Sequence, residues 1–233
     1  MQQLAVQDLN WCLRRLPKPL RELMERHNKK VFVAGGYIRA CVANEFVSDI
    51  DVFTNSKDTA EALAKELGKN MRVVETDNAY TVLGYKLPLQ FIHRWNFSDP
   101  LECVQSFDFT IAKAALWFNA SGSPQSCCAD TFYQDLAAKR LVYCQPLRNE
   151  DAGGSMLRVL KFYQRGYRIP LDSLGAVIAR LCGGVKWDKL QENDEQRLAR
   201  IFTSLLIEVD PNADIANSSH LPPTGTEETH AQA

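Results

Sequence analysis

Two aspartates one residue apart, Asp49 and Asp51, flank Ile50 in the stretch SDIDVFT. The β-branched and aromatic residues there predict a strand. Residues two apart on a strand leave the same face, so both carboxylates project together. Two like charges side by side repel, and burying them without a counter-ion is costly. A divalent cation resolves the conflict. Mg²⁺ (or Mn²⁺) takes carboxylate oxygens together with the phosphate oxygens of a substrate, which points to a phosphate-bearing substrate. An Asp-x-Asp pair alone is common on protein surfaces, so its neighbours decide its meaning.

Upstream, VFVAGG is an apolar run that predicts a buried strand entering a tight turn at Gly35 and Gly36. Glycines there let backbone N–H groups approach a triphosphate with no Cβ in the way. Arg39, three residues on, would add a charge-assisted contact to phosphate. The same glycine pair also suits a plain strand–turn–helix junction.

The elements that must position these groups follow from periodicity and punctuation. Helices are expected over 4–16, 20–29 and 37–46, and over KDTAEALAKEL with Ser56 as N-cap and Gly68 as stop. Strands are expected over 71–75, 80–85 and 87–94. Residues 107–118 read as a further strand, although their alanines also permit helix. A loop rich in Ser, Gly and Cys over 119–128 follows, then helices over 133–141, 154–165, 171–182 and 187–207. This outlines a nucleotide-handling head (1–130), a helical neck (131–210) and a tail (211–233) too poor in large apolar residues to order itself.

The formal net charge of −1 argues against a protein that coats nucleic acid electrostatically. Between Lys139 and Arg168, however, seven Lys/Arg face only Glu150 and Asp151, a local balance of +5. Such a strip suits a phosphate-bearing ligand, or else a solvated helix face. The seven cysteines show no metal-ligand spacing and read as free thiols of a reducing cytoplasm. No apolar stretch approaches the roughly 18 residues that span a bilayer, so no membrane partner is expected.

The stretch VFVAGGYIRACVANEFVSDIDVFT resembles the pattern GGxVRDxLLGxxxxDxDxxT of class II CCA-adding enzymes and bacterial poly(A) polymerases, within the DNA polymerase β-like nucleotidyltransferase superfamily. Arg39 falls on the pattern's arginine and Thr54 on its last threonine. DFTIA (108–112) is similar to the start of RRDFTINA, DTFYQDLAAKRL (130–141) to DPFGGxxDLxxxxL, and NEDAGGSMLRVLKF (149–162) to EDPLRxLRxxRF. The departures are Ala40, Asn44, Ser106-Phe107 in place of paired arginines, Ala112, and a longer spacing from Asp151 to Arg158.

The resemblance implies an α+β fold: a polymerase-β-like head with a mixed sheet and flanking helices, followed by a helical neck. It implies transfer of a nucleoside monophosphate from an NTP to an acceptor hydroxyl, with Asp49 and Asp51 holding Mg²⁺. Asp108 would approach the ribose. Glu150, Asp151 and Arg158 would present a hydrogen-bonding edge to the base, with Lys161 and Arg165 near phosphate; a charge-paired helix face is the plainer reading of these residues. The acceptor is an RNA 3′ end of tRNA-like kind, with a protein, a small molecule or a non-catalytic nucleotide-binding module as alternatives. A third carboxylate of the superfamily falls near Gln90, leaving Asp108 as the nearest acid. The chain ends before the helical body with which that family holds tRNA.

From the tail's composition, truncation after Asp210 should leave the melting temperature within about one degree of the full chain. A loss of several degrees in a thermal melt would show that the tail packs on the core.

Overall fold

The computed structural model describes residues 1–146, 153–189 and 194–209. Glu150, Asp151 and the expected tail lie outside them. The described residues include seven strands: β1 (Val31–Ala34), β2 (Ile50–Thr54), β3 (Arg72–Glu75), β4 (Ala79–Leu83), β5 (Leu89–Ile92), β6 (Ala114–Phe118) and β7 (Pro124–Cys128). They form one mixed sheet in the order β3-β4-β5-β2-β1-β6-β7. All its pairings are antiparallel except β2 with β5, which run parallel with Asp51 opposite Gln90.

Six helices belong to the sheet's unit: α1 (Val6–Arg15), α2 (Lys18–His27), α3 (Gly36–Val42), α4 (Lys57–Leu67), α5 (Pro100–Ser106) and α6 (Phe132–Ala137). Ile50 and Val52 are fully buried and face the helices α3 and α4. On the opposite face Phe32 stacks on Phe53 at 5.7 Å between ring centroids. Phe97, Cys103, Val104, Ala115 and Cys127 complete that layer under α5. Each face thus buries its own apolar layer, which is what a two-sided strand pattern demands.

The helices α7 (Gly154–Gln164), α8 (Leu171–Cys182) and α9 (Glu195–Val209) follow. The chain divides into two compact units, one comprising Met1–Asn149 with Phe162–Ala176, the other Glu150–Lys161 with Val177–Ala233. The mixed sheet with its flanking helices is the fold class expected from the sequence.

Three local expectations need correction. The segment 119–128 is not all loop: Pro124–Cys128 is strand β7, paired with β6 from Ala114↔Cys128 to Phe118↔Pro124. Its polar residues disguised it, yet Ser126 is buried and accepts a hydrogen bond from the Leu4 N–H at 3.1 Å. Residues 107–118 form no single strand, because a 3₁₀ turn at Thr110–Ala112 precedes β6. Helix α5 was not foreseen, although Asp99 before Pro100 is an N-cap followed by Pro at the first helical position. The Asp99 carboxylate indeed accepts from the Leu101 N–H at 2.9 Å.

Helix α4 begins as expected: Ser56 Oγ accepts from the Thr59 N–H at 3.1 Å. Its end is a close-approach constraint. A Cβ at Gly68 would meet Val73 Cγ2 at 2.4 Å and the Ala64 carbonyl oxygen at 2.8 Å. Gly68→Ala should therefore destabilise the protein by about 1–3 kcal/mol through overpacking against β3. Chemical denaturation measures this, and an unchanged midpoint would show that the α4–β3 corner yields freely.

Candidate active site

The register gathers four segments at one end of the sheet. Antiparallel pairing places the end of β1 beside the start of β2 (Val33↔Val52) and the start of β6 (Ala34↔Ala115). Parallel pairing places the start of β5 beside the start of β2 (Ile50↔Leu89). The Gly35–Gly36 turn, the acid pair, Gln90 and the segment 108–113 leading into β6 therefore converge there.

Asp49 stands just before β2 and Asp51 inside it, both half-buried. Asp49 Oδ1 accepts from Ser48 Oγ at 3.0 Å, and Oδ2 accepts from Gln90 Nε2 at 3.3 Å. Since Gln90 is also the register partner of Asp51, the two carboxylates and the amide share one face. Among the described residues no group of three or more His, Cys, Asp or Glu is gathered to hold a metal ion. The donor set is two carboxylates with hard oxygen atoms. That fits Mg²⁺ or Mn²⁺, which complete their shells with water and substrate phosphate; it does not fit a closed zinc site.

Gly35 takes φ 80°, a left-handed conformation that favours glycine. A Cβ there would also meet Phe107 Cζ at 3.3 Å, so the ring beside Asp108 closes on the turn. The Gly35 N–H donates to the Ala114 carbonyl at 2.9 Å and is taken up by the sheet. Of the two glycine amides expected to be open, the one at Gly36 begins α3, and no atom lies within 4 Å of the place where a side chain would start.

Arg39 is buried, with its guanidinium paired to Glu45 and lying 5.1 Å above the Phe162 ring. Glu45 also accepts from the Tyr167 hydroxyl at 2.8 Å. Burial and that acceptor push Tyr167 up to about 12. The first role of Arg39 is thus to fix the segment between α3 and the acids. Its Nε keeps no hydrogen-bond partner among the described residues.

The Arg165 guanidinium also lies over the Phe162 ring, 5.8 Å from its centroid, and makes no ion pair among the described residues. Burial, then the neighbouring Arg39 charge, lower its pKa, while the Asp49 charge opposes them. It is a half-buried cation whose charged surroundings are Arg39, Glu45 and, least, Asp49.

Asp108 is buried, and its carbonyl accepts from the Cys144 N–H at 2.7 Å. Burial lowers the pKa of nearby Lys113, and the charges of Cys144 and Asp108 oppose that shift. Sequence reasoning missed Lys113, which follows directly on the DFTIA motif and donates to the Gln105 carbonyl at 2.9 Å. In the second unit Arg158 Nη2 curls back to within 3.3 Å of a Cβ built at Gly154, and Lys161 is exposed. The expected basic strip is partly structural, since Arg140 binds buried Asp135 at 2.6 Å and Arg168 stacks on Tyr163 at 4.8 Å.

Residues 7–139 match the model of the Gabija anti-defense 2 family protein. The chain belongs to the Gabija anti-defense 2 family. It is 27% identical over 158 residues to "Gabija anti-defense 2" of Bacillus phage SPbetaL7, covering 66% of this chain and 37% of that relative. Among solved structures it is similar to a Thermotoga maritima CCA-adding enzyme complexed with tRNA (TM-score 0.55, 19% identity, 93% of this chain and 56% of that one). A CCA-adding enzyme with CTP gives a TM-score of 0.57 at 20% identity over 93% of this chain and 56% of that one. The same enzyme class with ATP gives 0.55 at 22% identity, over 94% and 54%. The chain spans little more than a third of the phage relative and somewhat over half of these structures. At these identities the likeness establishes the fold, one shared with part of the CCA-adding enzymes.

The Arg39–Glu45 pair makes the candidate site region of this chain depend on one carboxylate. Glu45→Ala leaves a buried guanidinium uncompensated and should cost about 3 kcal/mol or more. Urea unfolding measures it, and a cost under about 1 kcal/mol would mean that the pair is solvent-screened.

Proposed function

We propose that this member of the Gabija anti-defense 2 family transfers a nucleoside monophosphate from an NTP to an acceptor hydroxyl, with release of pyrophosphate. The observation that carries the reading is the convergence of Asp49, Asp51 and the Gly35–Gly36 turn at one end of a sheet whose fold is shared with CTP- and ATP-bound CCA-adding enzymes. Asp49 and Asp51 would hold Mg²⁺ or Mn²⁺. When bound, the metal lowers the pKa of the attacking hydroxyl and neutralises charge on the triphosphate.

The chain's own groups then orient the reactants. Ser48 and Gln90 fix the Asp49 carboxylate in one rotamer. The Gly36 amide and Arg165 are candidate donors for phosphate oxygens, whose alignment for in-line attack supplies much of the rate, while buried Arg39 braces the turn behind them. Asp108 is the candidate contact to the ribose. Glu150, Asp151 and Arg158 are the candidates for reading the base, with Lys161 near phosphate.

The acceptor we favour is an RNA 3′ end, the kind of acceptor suggested by the tRNA complex of the Thermotoga maritima enzyme. A second reading is a hydroxyl on a protein. It is favoured because the family match covers residues 7–139, the head, and carries the description "Gabija anti-defense 2", a role met most directly by modifying a defence protein.

Incubation with each α-labelled NTP, Mg²⁺ and a cell extract containing a Gabija defence should label one acceptor class, separated by nuclease and protease treatment. Asp49→Asn and Asp51→Asn should each reduce labelling at least about 100-fold, the loss of several kcal/mol of transition-state stabilisation. Retention of more than about a tenth of the activity by the double variant would sink the reading.

A further inference from the structure

Besides Ser48, the side chain of Gln90 touches the acid pair, and neither the glycine turn nor the basic residues account for it. Its amide donates to Asp49 Oδ2 at 3.3 Å and sits opposite Asp51 in the parallel register. On its other side Gln90 faces Thr81 of β4, so a polar row of Asp51, Gln90 and Thr81 crosses three adjacent strands. All three are half-buried, whereas their neighbours Ile50, Leu89 and Val82 on the opposite face are fully buried. The row is thus on the open face, beside the carboxylates.

An amide here differs from a carboxylate in two physical ways. It is neutral, so Asp49, Asp51 and Gln90 together carry −2 and not −3. It also donates a hydrogen bond, which no ionised carboxylate does, and so restrains Asp49 when no cation is present. Affinity for a hard divalent cation is tuned by the number of charged ligands, so two carboxylates bind free cation more weakly than three. A triphosphate brings the missing negative charge with it.

We infer that Gln90 is a positioning and specificity-determining residue that makes the acid pair accept a divalent cation as its nucleotide chelate in preference to the free ion. The inference rests on the nucleotidyltransferase reading. In it, Gln90 holds Asp49 in the ligating rotamer through the hydrogen bond to Oδ2. Its lack of charge keeps the pair poorly occupied by free metal.

The test is binding, read by the electron paramagnetic resonance of Mn²⁺ with and without the non-hydrolysable α,β-methylene analogue of ATP. Wild type should bind free Mn²⁺ weakly and bind it at least tenfold more tightly with the analogue present. Gln90→Glu should tighten free Mn²⁺ binding at least tenfold and shrink the advantage conferred by the analogue. Gln90→Met, of similar volume but without the amide, should leave free Mn²⁺ binding weak and loosen the ternary complex about three- to tenfold. Thermal melts confirm that each variant folds.

The inference is overturned if folded Gln90→Glu binds free Mn²⁺ no better than wild type, or if Gln90→Met matches wild type in the ternary complex. A wild type that binds Mn²⁺ tightly without nucleotide overturns it too, yet leaves the transferase reading intact. If wild type binds no Mn²⁺ under either condition, the transferase reading itself fails and the inference with it.

Discussion

The parallel pairing of β2 with β5, set among antiparallel neighbours, is the constraint on which the site depends. A parallel pair needs a long crossover, and here α4, β3 and β4 supply it. The consequence is directional. Both strands begin at the same end of the sheet, so Asp51 and Gln90 stand side by side one residue into their strands. The antiparallel neighbours β1 and β6 then contribute an end and a beginning at that same place. With β2 and β5 antiparallel, Gln90 would lie at the far end from the segment that precedes β2.

Two carboxylates, half-buried Glu45 and fully buried Asp135, hold this arrangement, and both are matched with arginine. Glu45 takes Arg39 and the Tyr167 hydroxyl, tying the approach to β2 to the segment after Phe162. Asp135 is fully buried and takes Thr110 Oγ1 at 2.7 Å and Arg140 Nε at 2.8 Å. That second cluster joins the DFTIA motif to the segment DTFYQDLAAKRL. Two of the four motifs that resembled a known family are therefore linked by a structural bond, and their likeness reports packing before it reports chemistry.

The same distinction explains what could be read from the residues alone. The β1–α3–β2 core and the Ser56 cap were visible because strand burial, cap chemistry and the glycine turn are local signals, whereas the mixed sheet followed from the resemblance. Strand β7 was not, since PQSCC shows no apolar alternation, and its burial comes from its pairing with β6 and the N-terminal segment. Helix α5 did carry a local signal in Asp99-Pro100, which its short length concealed. At the site, the acids and glycines were identifiable by type. That Arg39 faces Glu45, that the Gly35 amide belongs to the sheet, and that Gln90 touches Asp49 all depend on partners 6, 79 and 41 residues away. Spacing along the chain cannot report such contacts.

The contrast among carboxylates is the strongest physical ground for taking the acid pair as functional. Glu45 and Asp135 each face a guanidinium, as burial of charge requires. Asp49 is half-buried too, yet its described partners, the Ser48 hydroxyl and the Gln90 amide, are both neutral. Hydrogen bonds of that kind orient a carboxylate without cancelling its charge. Arg165 feels the Asp49 charge but makes no ion pair with it among the described residues. A fold that pairs two carboxylates with guanidinium groups, and gives Asp49 described partners that only orient it, leaves that carboxylate available beside Asp51. Asp49 and Asp51 would hold a divalent cation there, and the half-buried guanidinium of Arg165 would then be available to the anion that the cation brings with it.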